Sequence, residues 1–341
     1  MRDPETSQRR TVVVVGHGMV AHRFVEALRS RDEQGTWRVV VLAEEREAAY
    51  DRVGLSSYVG AWDRGALALP GSTYAADDLV DLRLGTRVTS VDRAGRTVTT
   101  GNGDVVAYDA LVLATGSSPF VPPVPGHDAD GCHVYRTLED LDGIRERVER
   151  VLAAAAEAGR SATGVVVGGG LLGLEAANAL RLLGLRPHVV EFAPRLMPLQ
   201  VDEGGGAVLE RLVHELGVSV HTGTGTCAIA PLGDGRLSVE LSDETVLETD
   251  VLVFSAGVRP ADALAREAGL GVGERGGVLT DLTCRTTDER VWAVGEVAAV
   301  EGRCYGLVAP GYAMAEVVAD RLLGGEATFP GADLSTKLKL L

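Results

Sequence analysis

Residues 11–21 read Thr11-Val-Val-Val-Val15-Gly16-His17-Gly18-Met19-Val20-Ala21, and residues 165–175 repeat the design as Val165-Val-Val167-Gly168-Gly-Gly170-Leu171-Leu172-Gly173-Leu-Glu175. Each begins with an unbroken β-branched run, the pattern of a parallel strand buried on both faces. Each then runs through G-x-G-x-x-G/A into a helical stretch, past Phe24, Val25 and Leu28 in the first copy and from Ala176 to Leu183 in the second. In such a turn the first glycine makes the tight bend and the second lets the backbone approach a pyrophosphate. The third small residue, Ala21 or Gly173, lets helix and strand pack closely. The pyrophosphate lies on the helix N-terminus, where unpaired N–H groups and the helix dipole favour an anion. A second strand follows each turn. Arg38-Val-Val-Val-Leu42 leads to Glu44 and Glu45, and His188-Val-Val190 leads to Glu191. Glu191 lies about 20 residues past Gly170, the separation at which a carboxylate binds a ribose hydroxyl pair. One such turn is weak evidence. Two, each with strand, helix and carboxylate in place, point to two dinucleotides in one chain.

The 341 residues leave room for two domains of ordinary size. A formal net charge of −15 offers no electrostatic footprint for nucleic acid or an anionic membrane. The apolar share of 45% with 24% charged residues is that of a globular protein rather than a disordered one. Glycine, at 43 residues, is nearly twice the background of about 7%. Only Lys337 and Lys339 among the 33 basic residues are lysine, a skew that reads as coding bias rather than a site. Cysteines stand at 132, 227, 284 and 304 and form no C-x-x-C or other metal-site spacing, so no metal or iron–sulfur cluster is predicted. The start, Met1 to Arg10, is polar, the first apolar run is five residues, and no run of about 18 follows. A cytoplasmic protein with no membrane partner is expected.

These turns and four further segments resemble the pyridine-nucleotide-dependent flavoprotein reductases of the glutathione-reductase-like fold, which bind FAD first and NAD second. Leu111-Val-Leu-Ala114-Thr115-Gly116 is similar to the strand and turn that pass FAD before the chain crosses into the NAD domain. Phe254-Ser-Ala-Gly257-Val-Arg-Pro260 is similar to the returning segment. Val291-Trp-Ala-Val-Gly295-Glu296 resembles a late Gly-Asp motif whose carboxylate binds a flavin ribityl hydroxyl, with a glutamate here in place of the aspartate. Tyr50-Asp51-Arg52 with Leu55-Ser56 falls where the family's chain wraps the adenosine and approaches the isoalloxazine. The resemblance implies an α/β fold of two Rossmann-like dinucleotide-binding domains, with the C-terminal interface domain missing or truncated. It implies a discontinuous FAD domain at 1–117 and 253–330 and an NAD(P) domain at 118–252, with 331–341 a tail or the start of a third. FAD contacts are expected from Gly16, Gly18, Met19, Val20, Ala21, Glu44, Glu45, Arg52, Ser56, Ala114, Thr115, Gly116, Gly257, Gly295, Glu296 and Pro310. NADH contacts are expected from Gly168, Gly170, Leu171, Leu172, Gly173 and Glu191. Glu191 favours NADH over NADPH by repelling a 2′-phosphate, a preference that Arg195 nearby blurs. Glu175 is placed by resemblance near the nicotinamide, as the catalytic candidate; the alternative is a first-turn carboxylate that complements the helix dipole. Pro310 precedes a helix expected from Ala313 to Leu323, either aimed at the flavin or an ordinary surface helix.

Disulfide reductases of this fold carry a C-x-x-x-x-C pair on the helix where this chain has Asp51 to Gly60 without a cysteine, and Ser56 and Ser57 stand there instead. Electrons taken up must leave for an acceptor outside this polypeptide or on a part not present. A closer resemblance, through Val14–Val20, Ala49–Arg52, Leu55–Tyr58, Val134–Thr137, Val166–Glu175, Val190–Pro194, Gly306–Tyr312 and Gly331–Leu341, is to the N-terminal flavoprotein module of NAD(P)H-dependent assimilatory nitrite reductase large subunits. That family implies downstream iron–sulfur and sirohaem domains as electron acceptors, where nitrite becomes ammonia. The apolar tail Leu338-Lys-Leu-Leu341 reads as the opening strand of a missing domain or as a short docked terminal strand. Two other readings stand beside this one. One is a standalone NADH reductase of a ferredoxin- or rubredoxin-type carrier. The other is a flavoprotein with a binding or assembly role, against which Glu191 and the second turn argue.

Overall fold

The computed structural model describes residues 9–333 and Leu338, so the rest of the expected tail strand and residues 1–8 lie outside the described residues. The chain divides into two compact units. One comprises the described residues up to Asp51, Ala68–Ser118, and Arg259 to residue 333; the other comprises Arg52–Leu67 and Pro119–Val258.

In the first unit the β-branched runs form a five-stranded sheet in the order Val291–Ala293, Ala110–Leu113, Arg10–Val15, Trp37–Leu42, Val80–Arg83. All four pairings are parallel. Val12, Val13, Val14, Val39 and Val41 are fully buried. That is the fate of a strand covered on both faces, and each such side chain stabilises the fold by about 1.5–3 kcal/mol. Helix Met19–Arg31 buries Ala21, Phe24, Val25 and Leu28 from one stripe. Asp32 ends it, accepting the N–H groups of Thr36 and Trp37 at 2.9 and 2.8 Å and so setting the entry to the next strand.

The second unit repeats the plan with the order Ser219–Thr222, Arg186–Glu191, Thr163–Val167, Val251–Phe254, Cys132–Val134, again parallel throughout. A three-stranded antiparallel sheet, Thr226–Pro231, Leu237–Leu241 and Val246–Thr249, closes over Val165, Val190, Leu252 and Phe254. Helix Leu138–Glu157 starts on a capping box between Thr137 and Asp140, and Glu203–Glu215 starts on the Asp202 side chain.

Asp250, 1% exposed, holds the edge of this second sheet. Its carboxylate accepts both Arg160 Nη donors at 2.8 and 2.7 Å and the Thr163 N–H at 2.9 Å. Burial alone would raise its pKa, but these bonds outweigh burial and hold it below the usual carboxylate value. A depressed folded-state value adds stability above the unfolded pKa near 3.9 and loses it as pH falls through the folded value. Asp250→Asn should therefore cost about 2 kcal/mol at pH 7, and the cost should shrink below about pH 4. Urea midpoints of both proteins across pH test this; a cost independent of pH would refute it.

Candidate functional site

Loops that leave the C-terminal ends of adjacent parallel strands share one edge of a sheet, and in open α/β sheets that edge is where ligands bind. In the first unit Gly16, Ala114 and Val294 follow strands paired Val15 to Leu113 and Leu113 to Ala293. Gly16 has φ +101°, and a Cβ on it would stand 2.4 Å from the Ala114 carbonyl oxygen. Only glycine fits there. Gly18 is extended at φ −88° and ψ −172°, and a Cβ on it would meet nothing within 4 Å. The space beside it is open. The first bond of helix Met19–Arg31 is His22 N–H to Gly18 O, which leaves the N–H groups of Met19, Val20 and Ala21 unused by the helix.

Val20 packs where Gly295 and Gly311 make room: a Cβ on Gly311 would stand 2.5 Å from Val20 Cγ2. Nothing local in the sequence marks this contact of Gly311 between helices. Gly311 belongs to helix Val308–Leu322, which begins five residues before the expected Ala313 and ends at Leu322 rather than Leu323. Pro310 is its third residue, within the first turn, where a missing N–H costs no helix bond. Thr115 Oγ1 donates to Ala261 O at 2.8 Å, and Gly116 adopts φ +67°. Ser117 Oγ donates to Glu296 Oε2 at 2.7 Å. His17 Nε2 lies 2.9 Å from Ser72 O, and burial pushes the ring's pKa down to about 4, so the turn carries a neutral imidazole.

Glu44 and Glu45 sit differently from their counterpart in the second copy. Gly16 N–H bonds Leu42 O and Gly168 N–H bonds Val190 O, each at 2.8 Å, so Ala43 rather than Glu44 matches Glu191. Glu44 is exposed and stands 3.6 Å from Arg87, while Glu45 accepts from Tyr50 OH at 2.9 Å.

In the second unit Gly168 has φ +120°, and a Cβ there would stand 2.3 Å from Ser255 O. Gly173 is tighter still, with a Cβ 1.9 Å from Gly168 O. Gly170 is extended and open, and Leu171 and Leu172 begin helix Leu171–Leu182. Glu191 folds back over the turn, its Oε2 accepting Gly169 N–H at 2.6 Å and its Oε1 accepting Ala193 N–H at 2.7 Å. Arg195 donates to the carbonyls of Val201 and Pro198 at 3.1 and 3.3 Å. Gly257 takes φ +104° after Val251–Phe254.

Arg52 and Ser56 also belong to this unit. Arg52 donates to Arg136 O at 3.1 Å. Ser56, on helix Leu55–Ala61, donates its hydroxyl to Glu175. Glu175 is the fifth residue of its helix, whose first turn holds no acid, and it is 9% exposed. A role as a first-turn dipole partner is therefore set aside. Beside this pair the Tyr135 hydroxyl is buried next to Ser56, and burial pushes its pKa up.

The short helices Leu55–Ala61 and Ala263–Glu267 have neither a side-chain cap nor an acidic first turn, and the longer described helices sort into two groups. Leu138–Glu157 and Glu203–Glu215 have side-chain caps and acidic first turns, whereas Met19–Arg31, Leu171–Leu182 and Val308–Leu322 have neither. Three of the longer helices thus start uncapped, two of them at glycines with open space beside them, so the residues present fit a dinucleotide in each unit. Among the described residues no group of three or more His, Cys, Asp or Glu could hold a metal ion, and no helix is long and apolar enough to cross a membrane.

Two nucleotide-binding edges in one chain define the class of two-dinucleotide oxidoreductases. The pyridine nucleotide-disulphide oxidoreductase family model matches residues 10–317, and the chain belongs to that family. It is 53% identical over 330 residues to the nitrite reductase [NAD(P)H] large subunit of Klebsiella oxytoca, covering 97% of this chain and 33% of that protein. It is 44% identical to the nitrite reductase (NADH) large subunit of Escherichia coli K12, over 97% of this chain and 38% of that one. A NAD-dependent persulfide reductase from A. fulgidus superposes with a TM-score of 0.87 at 27% identity, over 97% of this chain and 62% of that one. The chain thus spans about a third of the length of the nitrite reductase subunits it resembles.

Proposed function

We propose that the chain is the electron-input module of a cytoplasmic assimilatory nitrite reductase, taking reducing equivalents from NADH through FAD and passing them to iron–sulfur and sirohaem centres that reduce nitrite to ammonia. One observation carries the reading: the only long helices left uncapped among the described residues include the two that follow the glycine turns, in a chain 53% identical to such a large subunit. FAD, when bound, supplies hydride acceptance and single-electron release, which no side chain offers.

In this reading FAD belongs to 1–117 and 253–330 and NADH to 118–252. The N–H groups of Met19, Val20 and Ala21 receive the FAD pyrophosphate past Gly16 and Gly18, with Ala114, Thr115, Gly116 and Gly295 giving close backbone approach. Glu296 accepts from a ribityl hydroxyl, and Glu44 or Glu45 from the adenosine ribose. The open start of the helix holding Pro310 stabilises negative charge on the reduced ring. Gly168, Gly170, Leu171, Leu172 and Gly173 receive the NADH pyrophosphate. Arg52, Ser56 and Glu175 serve the reacting end, with Ser56 holding the Glu175 carboxylate.

Two side chains support a preference for NADH over NADPH in this reading. The Glu191 carboxylate, which would repel a 2′-phosphate, is held at the second glycine turn, and Arg195 donates from Nε and one Nη to carbonyls. Glu191→Gln keeps an acceptor and removes the charge, so the NADH/NADPH ratio of kcat/KM should narrow about tenfold, or ~1.4 kcal/mol. An unchanged ratio would count against this role.

The wider proposal is tested with the purified chain, NADH and nitrite. Turnover should occur with ferricyanide as acceptor but produce no ammonia until the iron–sulfur and sirohaem portion of such an enzyme is added. Ammonia formed by this chain alone, or none after the addition, would overturn the proposal.

A further inference from the structure

The second loop of the first edge carries a residue that no motif singled out. Ser117 directly follows Gly116, whose φ of +67° turns the chain, and its hydroxyl donates to Glu296 at 2.7 Å. The two residues are brought together by neighbouring strands, since Leu113 pairs with Ala293 and the Val294 N–H bonds Leu113 O at 3.0 Å. Glu296 follows Gly295, held at φ +80° over Val20.

A glutamate has one methylene and one rotor more than an aspartate, so its carboxylate wanders unless something fixes it. A hydroxyl bond to an ionised carboxylate is short and strong enough to select one arrangement. A carboxylate offers about four lone-pair positions, so accepting from Ser117 and from a ligand hydroxyl are compatible. We propose that Ser117 is the positioning residue that fixes the Glu296 side chain so that a glutamate can hold the polyol of FAD. This rests on the reading of Glu296 as an FAD ligand given above. Ser117 itself acts through Glu296 and does not touch the reacting atoms.

The test is FAD affinity, measured by titrating the flavin-free full chain with FAD and following flavin fluorescence. Ser117→Ala should weaken binding five- to tenfold, and Ser117→Thr, which keeps the hydroxyl, should bind like the parent. Glu296→Asp draws the carboxylate back out of reach of Ser117, so adding Ser117→Ala to it should change affinity less than twofold. An equal loss in both backgrounds would mean that Ser117 only shapes its loop, and would overturn the proposal. So would an unchanged affinity for Ser117→Ala beside a weakened Glu296→Ala. Unchanged affinity for Glu296→Ala would instead show that Glu296 is no FAD ligand, and the proposal would fall with that reading.

Discussion

Gly173→Ala is expected to abolish NADH binding while leaving the flavin in place. The added methyl would stand 1.9 Å from Gly168 O. Gly168 cannot retreat, because it is itself pressed toward Ser255 O in a left-handed conformation that suits glycine alone. The helix start must move off the turn, and its free N–H groups leave the line of the pyrophosphate. Overpacking of this kind costs about 1–3 kcal/mol, and misaligned donors add to it, so NADH affinity should fall at least ~100-fold. Anaerobic titration with NADH reads the loss, and the ratio of flavin to protein reads the control. Unimpaired NADH binding in this variant would remove the second turn from the site.

Gly16→Ala should have the mirror effect, yielding protein that no longer retains FAD. The residue sits at φ +101°, which an L side chain rarely adopts, and its methyl would stand 2.4 Å from Ala114 O. The Ala114–Ser117 loop and the start of helix Met19–Arg31 would be driven apart, and both contribute to the proposed flavin site. FAD affinity should drop at least ~100-fold, with about 1–3 kcal/mol lost from stability. Gel filtration followed by the flavin-to-protein absorbance ratio measures the first effect, and calorimetric titration with NADH checks that the second unit still binds. Flavin retained at parental stoichiometry would contradict the assignment of the two turns to two different cofactors. Together the pair separates the sites, because each variant should spare the other's ligand.

Much of this arrangement is legible before any coordinates. Runs such as Val12-Val13-Val14 and Val165-Val166-Val167 have no polar face, so they must lie inside a covered sheet, and the glycine spacing then names the turns. What stays hidden depends on residues far apart in the chain. Ala43 matches Glu191 only through the strand register, which a string of valines and a leucine does not specify. The start of helix Val308–Leu322 is hidden because Leu307 is no capping residue, and Pro310 reads as preceding the helix when it is its third residue. The packing of Arg52–Leu67 with the second unit, and the bonds Ser56 to Glu175 and Ser117 to Glu296, are long-range pairings with no local signature. An uncapped start is itself a signal that the sequence carries. Gly18 and Gly170 precede helices without Ser, Thr, Asp or Asn at the cap, which leaves the N–H groups to a ligand.

An anaerobic titration of the flavin-loaded chain with NADH tests the proposed electron-input role most directly. The oxidised flavin band should bleach fully with about one equivalent of NADH per flavin, since a hydride carries two electrons. A band that NADH leaves intact, in a sample whose flavin dithionite does bleach, would contradict the account.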